Sequence, residues 1–215
     1  MKARPWLLVP VRSFCDGKRR LASALGSHER LRLNQQFFTH VLQEASQWPG
    51  LDRTMVVSPS NDVLQAAQAC GVRTLQQDMV FAQECEPDEQ LNRGLEQGRQ
   101  AILEHGAHAL LIVSCDLPLL KSDELCRLSQ MGSERRVIIA TDRVGTGTNA
   151  LYLPARATMP FCFGVDSARR HARAAAQIGW RAKRVQIDGL SFDIDTPADY
   201  ADYRSLALVE FAHHT

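Results

Sequence analysis

Along most of the chain, short runs of apolar and β-branched residues alternate with longer stretches whose apolar positions recur at helical spacing. Residues 6–11 (WLLVPV) predict a strand, and Leu31, Phe37, Phe38, Val41, Leu42 and Ala45 then mark one face of a long helix. TMVVS (54–58) predicts a second strand, followed by a helix over about 61–70 that Gly71 ends. VRTLQ (72–76) predicts a third strand. After the acidic ECEPDEQ (84–90), a helix runs from about 89 to 104 and stops at Gly106. HALLIVS (108–114) is almost continuously apolar, as a central parallel strand buried on both faces should be. A helix is expected from Ser122, strands at RVIIAT (136–141) and NALYLP (149–154), a helix over 166–180, and a strand at RVQI (184–187). This alternation predicts one α/β domain over residues 1–215, three-layered around a mostly parallel sheet.

The pattern ends on GLSFDIDTPADY (189–200). If residues 192–195 form a strand, Asp193 and Asp195 stand on the same side of it, and their mutual repulsion calls for a cation. Thr196 can then cap a helix, Pro197 suits its first position, and Asp199 sits where a capping-box acid sits. A solvated turn acid beside an ordinary helix-start acid is the plainer reading of the same residues.

Composition narrows the classes. Lys plus Arg (25) balance Asp plus Glu (24), so net charge does not drive binding to nucleic acid or to a membrane surface, and any phosphate site must be local. No apolar run is long enough to span a bilayer, and the apolar segment after the N-terminus is short for a signal peptide, which predicts a soluble cytoplasmic protein. The six cysteines form no C-x-x-C pair and no zinc-like spacing; reduced thiols are expected, with Cys115 and Cys126 as small core residues.

Three loops after predicted strands carry polar groups without an obvious packing role. RSFCDGKRRLA (12–22) holds Arg12 and Lys18 in the first strand-to-helix connection, a natural phosphate-receiving place, although it matches neither a Walker A loop nor G-x-G-x-x-G. SCDLPLL (114–120) sets Asp116 at the end of the buried strand, because Pro118 stops that strand from continuing. With Asp193 and Asp195 it could complete an oxygen-ligand site suited to magnesium. In DRVGTGTNAL and FGVDSARRH, glycines permit close backbone approach and Thr148 offers a hydroxyl. Gly164 and Ser167 lie at a helix start that favours an anion, with Arg169, Arg170 and His171 following. A basic surface turn, a helix-flanking acid and an ordinary helix cap are the alternatives for the three, and His171 is equally readable as a surface residue.

Taken in order, VPVR…GKRRLA, LNRGL, CDLPLL, DRVGTGTNAL, FCFGVDSARRH and GLSFDIDTPADY resemble the 2-phospho-L-lactate guanylyltransferase family, with its phosphoenolpyruvate and 3-phosphoglycerate variants. That family belongs to the molybdenum-cofactor nucleotidyltransferase-like group. The resemblance implies a Rossmann-like nucleotide-diphospho-sugar transferase fold and transfer of GMP from GTP to a small phosphorylated acid, in deazaflavin coenzyme biosynthesis. It implies that Asp116, Asp193 and Asp195 hold Mg2+, and that Lys18, with Asp116, is catalytic and stabilises the triphosphate. Arg12 and Asn92 would stand near the nucleotide, and Thr148, Gly164 and Ser167 would hold the acceptor's phosphate. A downstream transferase taking over the labile product is the implied partner; nucleic acid and membrane are not expected. The chain departs from the family pattern at Arg12, where Lys is frequent, at Gln90, where Gly is frequent, and at Val165 and Asp166, where Pro-Gly is frequent. Two readings compete: another nucleotidyltransferase acting on a sugar or pterin phosphate, and a silent nucleotide-binding regulatory protein.

Overall fold

The computed structural model describes residues 4–15, 17–78 and 86–212, with side chains to residue 206. Glu84 and Cys85 of the acidic connection therefore lie outside the described residues. The strands are β1 (Trp6–Pro10), β2 (Thr54–Ser58), β3 (Arg73–Gln76), β4 (Ala109–Val113), β5 (Arg136–Ala140), β6 (Ala150–Pro154) and β7 (Arg181–Val185). The helices are α1 (Ser27–Gln47), α2 (Asn61–Ala69), α3 (Pro87–Glu104), α4 (Ser122–Met131), α5 (Ser167–Gln177), the short α6 (Asp188–Ser191) and α7 (Pro197–Ala212). A 3-10 turn, Arg19–Ser23, follows the first loop.

The strands make one sheet in the order β3-β2-β1-β4-β6-β5-β7, parallel except for β6, which runs against both neighbours. Alternation along β1 divides the core: Leu7 and Val9 face one side, Trp6 and Leu8 the other. The first side is covered by α1, α2 and α4 through Phe38, Val41, Leu42, Val63, Leu125 and Leu128. The second is covered by α3 and α5 through Leu95, Ile102, Ala168, Ala174 and Ala175. Both faces of β4 are buried, which is why its sequence lacks polar alternation. No helix among the described residues is long and apolar enough to cross a membrane.

Two expectations need correction. The last strand is Arg181–Val185 rather than 184–187: it is an edge strand pairing only with β5, so its outward residues stay polar and the apolar run that suggested RVQI begins as the strand ends. Residues 192–195 are not a strand, and they pair with none of the seven strands of the sheet. Their side chains nonetheless alternate. Phe192 and Ile194 are buried against Leu21, Leu25, Leu33 and Phe37, while Asp193 and Asp195 remain partly exposed.

Candidate active site

The sheet order reverses at β1: β2 lies on one side of it and β4 on the other. The crevice beyond the carboxyl ends of these strands is where ligands bind in open α/β sheets. Lys18 enters from the loop after β1 and Asp116 from the loop after β4. Because β6 is antiparallel, its amino end reaches the same place, with Ala150 in register with Val113 and the Ser114 N–H donating to the Asn149 carbonyl at 2.9 Å. Thr148 and Asn149 thus arrive beside Asp116.

The third apolar cluster sets the remaining distance. Leu21 and Leu25, just beyond Lys18, pack with Phe192 and Ile194, which flank the two acids. Lys18 Nζ consequently lies 2.5 Å from Asp116 Oδ2 and 3.3 Å from Asp195 Oδ1. Burial opposes the Lys18 charge, but Asp116 and Asp195 outweigh it and hold the ammonium up at about 12. Lys18 adopts a left-handed backbone (φ 58°), and Gly17 before it passes so close to the Asn34 amide that a Cβ would sit 2.5 Å from Nδ2. That amide in turn donates to the Phe14 carbonyl at 2.7 Å, fixing the loop.

Asp193 accepts from Asn149 Nδ2 at 3.1 Å. Its burial, then the Asp116 charge, raise it to about 6. Asp116 and Asp195 thus contact the ammonium while Asp193 feels the charge of both acids, a surplus of hard oxygen donors whose chemistry fits a magnesium ion completed by substrate phosphates. Among the described residues, however, no three Asp, Glu, His or Cys side chains form a ready metal cage. The Lys18 ammonium lies against two of the acids instead. The Cys115 thiol is pushed up to about 12 by burial and by Asp116, so it is no nucleophile.

Thr148, Ser167 and His171 meet in a buried network. Ser167 Oγ lies 2.9 Å from Thr148 Oγ1, and His171 Nδ1 lies 3.2 Å from the same oxygen. His171 is wholly buried, not a surface residue, and burial followed by the Arg170 charge lowers it to about 4. Arg169 turns away, pairing with Asp166 at 2.5 Å. Gly164 has φ 115°, and a Cβ there would overlap Asp88 at 2.0 Å. Val165 is exposed and Asp166 sits at φ 55°, a left-handed position that Asp tolerates and Gly adopts freely, so this departure lies in the turn and not among the site's polar groups.

Asn92 is committed to backbone groups of the protein. Its amide is saturated: Nδ2 donates to the Phe163 and Asp88 carbonyls at 3.0 and 2.7 Å, and Oδ1 accepts from the Phe163 N–H at 2.8 Å. It holds the turn before Gly164 rather than presenting a free group. Arg12 donates to the Pro87 carbonyl at 3.0 Å and lines a small cavity of about 190 Å³ with Gln77, Asp88 and Gln90, at the carboxyl ends of β1 and β2.

Two positioning residues escaped the sequence reading. Arg99, nearly buried, donates to the Met159 carbonyl at 2.8 Å and stacks on Phe161 at 4.7 Å, tying α3 to the segment that leads into Gly164. Arg143, in the Gly-rich turn, pairs with Asp199 and Asp202 and lies 4.4 Å over Phe192, joining that turn to the start of α7. Each binds groups remote in sequence, so no local pattern marked it. A concavity of about 970 Å³, lined by Pro5, His108, Arg135, Pro154 and Trp180, opens at the opposite end of the sheet. None of the converging acids, Lys18 or the hydroxyl pair reaches it, and it is not the candidate active site.

The chain is similar to known proteins over most of its length. The family described as "Guanylyl transferase CofC like" matches residues 6–204. Proteins named phosphoenolpyruvate guanylyltransferase are similar across the chain. The one from Sphaerobacter thermophilus is 37% identical, covering 89% of this chain and 88% of its own. That from Rubrobacter xylanophilus is 33% identical, covering 95% of both. Among solved structures, a nucleotidyl transferase from Methanothermobacter superposes with a TM-score of 0.64 at 18% identity, covering 95% of this chain and 97% of its own. A 4-diphosphocytidyl-2C-methyl-D-erythritol synthase gives 0.61 at 18% identity, covering 96% and 100%. At such identities these two speak for the fold alone.

Proposed function

Since the chain belongs to the CofC-like guanylyl transferase family, we propose that it transfers a guanylyl group from GTP to phosphoenolpyruvate and releases pyrophosphate. The observation that carries this reading is the convergence of Lys18, Asp116, Asp193 and Asp195 at the carboxyl ends of β1 and β4, beside the Thr148–Ser167 pair. A phosphate oxygen of the acceptor attacks the α-phosphorus of GTP as the bond to the β-phosphate bridge breaks. The electron pair leaves with pyrophosphate.

A phosphate monoester has its second ionisation near about 6, so the nucleophile is already charged at neutral pH and needs no general base. This fits a site whose histidine is buried and neutral. Catalysis then rests on positioning and on neutralising charge. Lys18, drawn from between its carboxylates, faces the triphosphate. Thr148 and Ser167 face the acceptor's anionic end. Arg12, Gln77, Asp88 and Gln90 border the cavity proposed for the base, with the Asp88 carboxylate as an acceptor for guanine N–H groups. Asp116, Asp193 and Asp195 would hold magnesium, which supplies charge neutralisation between the two phosphates. The product, a guanosine diphosphate bridged to enolpyruvate, would pass to a downstream cytoplasmic transferase in deazaflavin coenzyme assembly.

The test is pyrophosphate release with magnesium, each of the four ribonucleoside triphosphates being offered with phosphoenolpyruvate, 2-phospholactate and 3-phosphoglycerate. Release with GTP and phosphoenolpyruvate is expected. Preference for CTP would overturn the reading, as would nucleotide binding without release under every pairing.

A further inference from the structure

His171 lies in α5 edge-on to Phe163, ring centres 4.8 Å apart, with no surface exposed. Its Nε2 is 2.9 Å from the backbone N–H of Cys162. A peptide N–H can only donate, so Nε2 carries a lone pair and the single proton of the neutral ring is on Nδ1. Nδ1 faces Thr148 Oγ1 at 3.2 Å. A protonated Nδ1 cannot take the Thr148 hydroxyl proton.

The Thr148 and Ser167 oxygens, 2.9 Å apart, share one hydroxyl hydrogen between them. Apart from the His171 Nδ1 contact on Thr148, neither hydroxyl makes any other hydrogen bond among the described residues. One hydroxyl hydrogen of the pair is therefore left to donate, whichever way the shared bond points. The opposite tautomer would draw the Thr148 proton inward and remove that spare donor. An imidazolium would set Nε2–H against the Cys162 N–H and open the turn that Asn92 holds at Phe163. Phosphate and carboxylate oxygens accept and do not donate, so a donor with nothing to give to inside the protein is matched to an anion.

We infer that His171 is a positioning residue: the Cys162 amide fixes its Nδ1–H tautomer, and that tautomer makes the Thr148–Ser167 pair a hydrogen-bond donor to the acceptor's anionic group. The identity of the acceptor rests on the guanylyl-transfer reading above; the tautomer does not.

Nitrogen NMR of the native protein with labelled histidine reads the tautomer directly, and steady-state kinetics of His171→Phe and His171→Gln read its consequence. His171 should show a protonated Nδ1 and a bare Nε2 across about pH 6 to 8. His171→Phe should raise the KM for phosphoenolpyruvate about tenfold or more, with the KM for GTP within about twofold of native. His171→Gln, which keeps an acceptor for Cys162 and a donor for Thr148, should recover part of that loss. A protonated Nε2 in the native protein would overturn the inference, as would equal rises in both KM values or no rise in either. If His171→Phe fails to fold by circular dichroism, the native spectrum and His171→Gln decide. If the native protein transfers nothing, the guanylyl-transfer reading fails by itself; a titration with inorganic phosphate then judges the anion role, a shift of the His171 resonances supporting it and their constancy overturning it.

Discussion

At Lys18 the backbone is left-handed and the ammonium is all but buried, two unfavourable conditions offset by the carboxylates it touches. The backbone alone costs about 1 kcal/mol, a cost a chain keeps where geometry serves a site. Lys18→Met keeps the aliphatic stem and removes the charge; kcat/KM for GTP should fall about a hundredfold or more with the fold intact, and near-native kinetics would remove Lys18 from the site. Asp193 is strained in the opposite sense, its carboxylate raised to about 6 by burial and by Asp116. Asp193→Asn retains an oxygen for Asn149 and removes the repulsion. It should stabilise the protein at pH 7 by about 1 kcal/mol after allowing for solvent screening, while transfer is lost. Urea midpoints and turnover on the same preparation check both halves. His171 supplies a pH test, titrating near 4 in the folded chain against 6.5 as its ordinary value. Between these values the unfolded chain binds the proton first, so stability falls as pH drops from 6.5 toward 4 and levels off below. The loss amounts to about 3 kcal/mol at most. Urea midpoints of native and His171→Gln should converge over that range; a constant gap would contradict the assignment.

Between elements, the site is assembled by contacts that do no chemistry. Ile194 and Leu21 pull the two-acid segment against the turn after Lys18. Ile194→Ala should cost about 2–4 kcal/mol and reduce transfer beyond what the lost stability explains, because Asp195 loses its registration on Lys18; denaturation and kinetics together test this. Gly164 admits Asp88 where a side chain would collide. Gly164→Ala should therefore displace the turn held by Asn92 and raise the KM for the acceptor more than that for GTP. The sequence pointed to Asp193 and Asp195 as neighbours, and they are, although through packing of Phe192 and Ile194 rather than through a strand. It also foretold the helix start: Thr196 Oγ1 accepts from the Asp199 N–H at 3.3 Å, and Asp199 accepts from the Thr196 N–H at 2.8 Å. Arg99 and Arg143 were invisible because their partners are remote along the chain.

For the molecule as a whole, hydrophobic period was enough to read the three layers, since a strand buried on both faces and a helix buried on one leave different spacings. Strand direction leaves no such mark. The reversal of β6 brings Thr148 and Asn149 to the carboxyl ends of β1 and β4, and only tertiary pairing reveals it. The burial of His171 was hidden likewise, because an Arg-rich helix start resembles a solvated face until the segment 157–163 closes over it. The chemistry is assigned to the carboxyl ends of β1 and β4, and not to the concavity of about 970 Å³ at the opposite end of the sheet. The most direct test is transfer of label from α-phosphate-labelled GTP to phosphoenolpyruvate by the native and Asp116→Asn proteins, with circular dichroism of both. The account predicts a labelled product of the joined mass from the native protein, and almost none from Asp116→Asn at an unchanged fold. Equal product from the two would place the reaction away from the carboxyl ends of β1 and β4 and contradict the account.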